Sequence, residues 1–137
     1  METLKINGYE FADKNAVKIR DFVEQLSLQT LGRNCTDVEI IRWVSAFLAG
    51  KTSGVQAAHE FIFNKTEMVR TLSDDEFVER LYYIYFNRPS DEAGKKQWLE
   101  RLGSDGSRAE IAEGFAQSDE FIRRCVDSRI PHKSIIL

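Results

Sequence analysis

The chain has 137 residues, 42% of them hydrophobic and 30% charged, the make-up of a globular domain rather than of a disordered or fibrous protein. Its 19 Lys and Arg stand against 22 Asp and Glu, a formal net charge of −3. That balance argues against the broad basic face with which proteins grip nucleic acid or anionic lipid. No nucleic-acid partner is expected.

The longest apolar runs, Val44 to Ala49 and Ile135 to Leu137, fall far short of the roughly 20 residues a spanning helix needs. No transmembrane segment is expected. The start, Met1 to Gly8, has no apolar core for a signal peptide. Either the protein is cytosolic, or Met1 opens a piece of a longer chain. Cys35 and Cys125 form no CxxC pair, so a zinc or redox site is not indicated, and two separate free thiols are expected ahead of one disulfide.

Taken in chain order, the periodicity predicts helices throughout. Ala16, Ile19, Phe22, Val23, Leu26 and Thr30 follow the i, i+3, i+4, i+7 rhythm of an amphipathic helix, which Gly32 can end. Thr36 and Glu39 form a capping box for a second helix, with Ile40, Ile41, Val44, Phe47 and Leu48 facing inward and Gly50 closing it. Ser53 with Gln56 opens a third, which buries Val55, Ala58, Phe61 and Ile62. Ser73 with Glu76 opens the fourth. Ser90 is expected to cap the fifth, which Gly103 stops, and Ser107 with Glu110 opens the sixth. Ser118 reads as the cap of a last helix through Val126, and Pro131 bars continuation. The expected class is all-α.

The chain also repeats itself. Phe22-Val23-Glu24-Gln25-Leu26 matches Phe77-Val78-Glu79-Arg80-Leu81 at a shift of 55 positions, and the same shift sets Arg33 on Arg88 and Trp43 on Trp98. Beyond a slip of one in the loops, Ser53, Ala58 and Phe61 match Ser107, Ala112 and Phe115. The expectation is two tandem three-helix units, at 13–70 and 73–128, followed by a tail at 129–137. One such unit buries little surface by itself, so the two should share a core as one compact helical domain.

The second unit carries Asn87-Arg88-Pro89-Ser90-Asp91-Glu92-Ala93-Gly94, then Trp98 and Leu102, and finally Gly114-Phe115 with Ser118-Asp119-Glu120-Phe121. This line resembles the bacterial domain of unknown function 4214 family. The resemblance implies an α-helical fold, tandem copies, distant similarity to phycobilisome linker domains, and attachment to secreted or cell-surface proteins. It also implies an accessory module without catalysis. Phe86 and Asn87 stand where that family has Leu-Gly, whereas the first unit keeps Leu31-Gly32-Arg33 but no proline.

Five residues are the candidate binding set: Tyr82, Tyr85, Arg88, Asp91 and Trp98. Tyr82 and Tyr85 are i, i+3 neighbours matching Ser27 and Thr30, positions that tolerate polarity, so they could present two rings to a sugar face or a partner protein. Tyr83 and Phe86 match Leu28 and Leu31 and are the pair suited to burial. Arg88 could offer its planar fork to a ligand, although its recurrence as Arg33 favours a structural tie to helix-end carbonyls or to a carboxylate such as Glu79. Trp43 and Trp98 read as a shared packing pair. His59 and His132 are isolated, Asp105-Gly106-Ser107 lacks the ligand series of a calcium loop, and no nucleophile–base pair stands out. No metal, no cofactor and no enzymatic activity are expected. The leading expectation is a non-catalytic binding or attachment module that recognises a cell-surface glycan or protein partner. The alternative is a structural linker acting on neighbouring domains or on itself.

Overall fold

A computed structural model describes residues 3–133. The apolar run Ile135 to Leu137, and with it the end of the expected tail, lies outside the described residues. The chain opens with an antiparallel hairpin of β1 (Leu4–Ile6) and β2 (Tyr9–Phe11), Lys5 standing opposite Glu10. Asn7 and Gly8 both take positive φ, 48° and 86°, the backbone that an Asn-Gly hairpin turn demands. Leu4 and Phe11 point into the core. The helical reading misses this hairpin, although Asn-Gly between short apolar runs was its signal.

Helices make up the rest: α1 (Ala16–Leu31), α2 (Asp37–Leu48), α3 (Gly54–His59), α4 (Met68–Thr71), α5 (Asp74–Leu81), α6 (Glu92–Ser104), α7 (Arg108–Ala116) and α8 (Asp119–Asp127). The fold is all-α apart from the hairpin. Two helices widen at their C-terminal ends into π turns, α3 over Glu60–Asn64 and α5 over Tyr82–Phe86. Nothing in the hydrophobic spacing announces either.

Most of the punctuation follows from local chemistry. Thr36 with Glu39 and Ser73 with Glu76 form reciprocal capping boxes, each satisfying two otherwise orphaned amides. Ser53, Ser107 and Ser118 accept from the backbone of Gln56, Glu110 and Phe121. Gly32 ends α1 in the left-handed region, its N–H donating to the Leu28 carbonyl. Asn87, at φ 54°, does the same for the Tyr83 carbonyl, because Asn is among the few residues that tolerate this conformation. Three expectations need correction. Asp91, not Ser90, caps α6 and accepts from the Gly94 amide. Gly103 does not stop α6, which runs on to Ser104. The short α4 stands between the expected third and fourth helices.

One buried cluster runs through both halves. α1 lies at its centre, packed against α2 and against both π turns. Phe22 meets Phe47 edge-on at 6.2 Å and Phe121 at 6.3 Å. Arg124 enters from α8, donates to the Ile84 and Tyr85 carbonyls at the wide turn, and lies 5.0 Å from the centre of the Phe22 ring. Burial lowers its pKa to about 10, so the guanidinium is still charged at neutral pH. The tail returns to the first half, where Gly54 and Val55 donate to the carbonyls of Pro131 and His132.

Several contacts recur at matched positions. Glu24 accepts from the Cys35 amide at 2.8 Å, and Glu79 from the Ser90 amide at 3.1 Å. Trp43 stacks on Phe61 at 5.4 Å and 22°, and Trp98 on Phe115 at 4.6 Å and 26°.

Candidate functional site

The π turn that ends α5 and the loop after it hold four of the five nominated residues, and each is used by the fold. Arg88 leaves the π turn with its guanidinium over the rings of Tyr82 and Phe86, 5.4 and 5.3 Å from their centres. Its Nε and Nη2 donate to the two carboxylate oxygens of Glu120 at 2.7 and 2.8 Å, and Nη1 donates to the Pro89 carbonyl at 3.0 Å. The Glu120 carboxylate pushes the Arg88 pKa up. The arginine is therefore a tie, as its recurrence suggests, but its carboxylate is Glu120 rather than Glu79. Glu79 instead accepts from the Ser90 amide and hydroxyl and from Lys95, and those bonds pull its pKa down to about 2.

Asp91 caps α6 through the Gly94 amide at 2.6 Å. A Cβ at Gly94 would lie 2.5 Å from the Tyr82 hydroxyl oxygen, so the glycine is what lets Tyr82 reach in beneath α6. Burial and the Asp91 carboxylate raise the Tyr82 phenol, with Arg88 and the Trp98 indole acting the other way. Trp98 rests on Gly114, where a Cβ would come within 2.6 Å of its ring. Arg101 lies 5.7 Å from the centre of that ring.

The expected tyrosine platform is not at the surface. Tyr82 is 3% exposed and Tyr85 is 2%; Tyr85 lies edge-on to Phe121 at 4.9 Å and parallel to Phe115 at 6.0 Å. Its phenol is pushed far up by burial. The pairing with the first half misleads here because Ser27, the match of Tyr82, is itself buried, its hydroxyl donating to the Arg33 carbonyl. Leu28, the match of Tyr83, is 43% exposed. Thr30, the match of Tyr85, is half-buried and likewise has an internal partner, its hydroxyl donating to the Leu26 carbonyl.

Sequence reasoning names Trp43 only as a packing residue. Its stack on Phe61 is such a contact, yet beside it opens a cleft of about 480 Å³ between α2 and α3. Trp43 and Ala46 line it, with Arg42 from α2, Lys51 and Thr52 from the connection, and Gln56 from α3. Glu39, Glu60 and Lys65 complete the rim. The two tryptophans differ in what stands around them. Where Arg101 lies over Trp98, the matching residue in the first half is Ala46, too short to cover Trp43. Where Gly114 lets Trp98 settle, the matching residue is Glu60, a carboxylate on the rim. These two exchanges were the readable signal.

Among the described residues, no group of three or more His, Cys, Asp or Glu is placed to hold a metal ion, and no helix is long and apolar enough to cross a membrane. What the two regions offer chemically is a buried aromatic cluster edged by an exposed ion pair in one half, and an open cleft with one tryptophan and polar walls in the other. The helices define a small α-helical module. The chain belongs to the family described as Domain of unknown function (DUF4214), whose model matches residues 52–125, more than half of its length. The match begins in the connection that leads into α3 and ends within α8, so it takes in both tryptophan-stacked phenylalanines. No curated protein and no solved structure matches the chain.

Proposed function

We propose that this chain is a non-catalytic binding module that takes carbohydrate in the Trp43 cleft. The observation that carries this reading is the contrast between the tryptophans: Trp98 lies between Gly114 and Arg101, whereas Trp43 borders an open cleft. An aromatic surface receives the C–H face of a sugar ring. The surrounding amide, hydroxyl and charged groups can then orient its hydroxyls, and the cleft's volume lies within the range of small-ligand sites. The wide turn at Glu60–Asn64 borders the same cleft, and π turns occur frequently at functional sites. The setting, an exported or cell-surface bacterial protein, rests on the family resemblance. Titrating the whole chain against a panel of bacterial and host oligosaccharides tests the reading. Binding that is lost in Trp43→Ala supports it, and silence across the panel overturns it.

A second reading is a structural linker holding neighbouring domains or self-associating. It is favoured by the use of the family-motif residues: Arg88, Asp91, Gly94, Trp98, Gly114 and Glu120 all serve contacts that hold the module's shape. Light scattering over a concentration series, on the chain with its flanking domains, tests this reading. A particle that stays monomeric removes self-association.

A further inference from the structure

Resting on the carbohydrate reading, we propose that the sugar seated at Trp43 is an acidic one, a uronate whose carboxylate is received by Arg42 and Lys51. Several cations of the chain are paired with carboxylates: Arg33 with Glu39, Arg88 with Glu120, Arg108 with Asp74, and Lys95 with Asp75 and Glu79. The cations of the cleft are not paired in this way. Arg42 and Lys51 have no side-chain partner among the described residues, and both are exposed. The carboxylates beside them are already engaged. Glu39 takes Arg33 and the Thr36 amide, which hold its pKa at about 2, and Glu60 takes the Asn64 amide at 2.6 Å. Lys65 adds a third cation, 5.7 Å from the centre of the Phe61 ring beneath Trp43.

The cleft therefore gathers three cations, Arg42, Lys51 and Lys65, beside two carboxylates, of which Glu39 is already paired with Arg33. A guanidinium fork matches a carboxylate in two parallel hydrogen bonds. The two acidic residues on the rim favour a singly charged ligand with hydroxyl donors over a phosphate dianion, which they would repel. A carboxylated sugar meets all three demands: a ring face for Trp43, one negative charge for the cations, and hydroxyls for the rim carboxylates.

The experiment titrates the whole chain by calorimetry with a set of hexuronate disaccharides, their neutral hexose counterparts, and adenosine monophosphate as an anionic aromatic competitor. At low salt a uronate should bind at least about tenfold more tightly than its neutral counterpart, and the advantage should shrink at high salt. The double substitution Arg42→Gln with Lys51→Gln should abolish the preference, so that uronate and neutral sugar bind the variant equally. Both side chains are exposed, and unaltered circular dichroism checks the fold. Equal binding of both sugars to the unsubstituted chain, or a uronate preference that survives the double substitution, overturns this inference and leaves the carbohydrate reading standing. Tighter binding of the nucleotide also overturns it. Binding of no sugar at all overturns both.

Discussion

Arg88 reaches across 32 positions of sequence to hold Glu120 through both carboxylate oxygens, at 2.7 and 2.8 Å. The pair joins the end of the α5 π turn to the first turn of α8, and the aromatic rings of Tyr82 and Phe86 back the guanidinium. Both side chains are substantially exposed, 39% and 43%, so solvent screens the charge pair. A double-mutant cycle with Arg88→Ala and Glu120→Ala should return a coupling of about 0.5–1 kcal/mol. Arg88→Ala alone should cost more than Glu120→Ala, because it also uncovers two rings. Urea denaturation measures all three; a coupling near zero would mean that the pair only decorates the surface.

Gly114 sets two effects against each other. It lies inside α7, where replacing glycine with alanine should by propensity alone stabilise the helix by about 1 kcal/mol. A Cβ there would stand 2.6 Å from the Trp98 ring, and such overpacking costs about 1–3 kcal/mol. The clash should win, so Gly114→Ala lowers the denaturation midpoint. Combined with Trp98→Leu, the alanine should become neutral or stabilising. A stabilised single variant would show that Trp98 moves aside freely.

The helical rhythm and the capping residues were legible because they depend on neighbours a few positions away. Thr36 with Glu39 and Ser73 with Glu76 act as their spacing says. The tyrosines went wrong for a specific reason. Phe77, Leu81 and Tyr85 are spaced i, i+4, as are Val78 and Tyr82, which puts both tyrosines on the buried face. Comparison with Ser27 and Thr30 points the other way only if a polar residue marks exposure, and Ser27 is buried. Glu120 as the partner of Arg88 was out of reach, since a contact across 32 positions is set by tertiary packing. The Trp43 cleft depends on what is missing at Ala46, visible only when the two halves are compared residue by residue.

Acid should weaken the fold through two bonded carboxylates, Glu79 and the capping-box residue Glu39. Ser90 and Lys95 hold Glu79 at a pKa of about 2, and Arg33 and the Thr36 amide hold Glu39 at about 2, against an ordinary value of 4.5. Folding thus favours the ionised form. The stabilisation is complete above the unfolded value and is lost as pH falls through 4.5 toward about 2. Stability measured by urea midpoint should therefore be level above about pH 5 and decline below it. Glu79→Gln should lower the plateau and shallow the decline; an unchanged slope would remove Glu79 from the account.

Cys35 and Cys125 are both free thiols. Burial raises Cys35 to about 11, where the Glu24 and Glu39 charges also push upward and Ser27 pulls down, and burial raises Cys125 to about 12. Because the thiolate is the reactive form, an aromatic disulfide reagent near neutral pH should label the native chain at least about tenfold more slowly than free cysteine. Denaturant should release two thiols at the ordinary rate. Rapid labelling of Cys125 in the native chain would contradict its burial.

Tryptophan fluorescence tests the central claim most directly, because the chain has only two indoles. Trp98→Phe leaves Trp43 as the sole reporter, and Trp43→Phe leaves Trp98. A saccharide that binds should quench or shift the emission of the Trp43-only chain and leave the Trp98-only chain silent. A response confined to Trp98, or none in either chain across the saccharide panel, would contradict a ligand seat at Trp43.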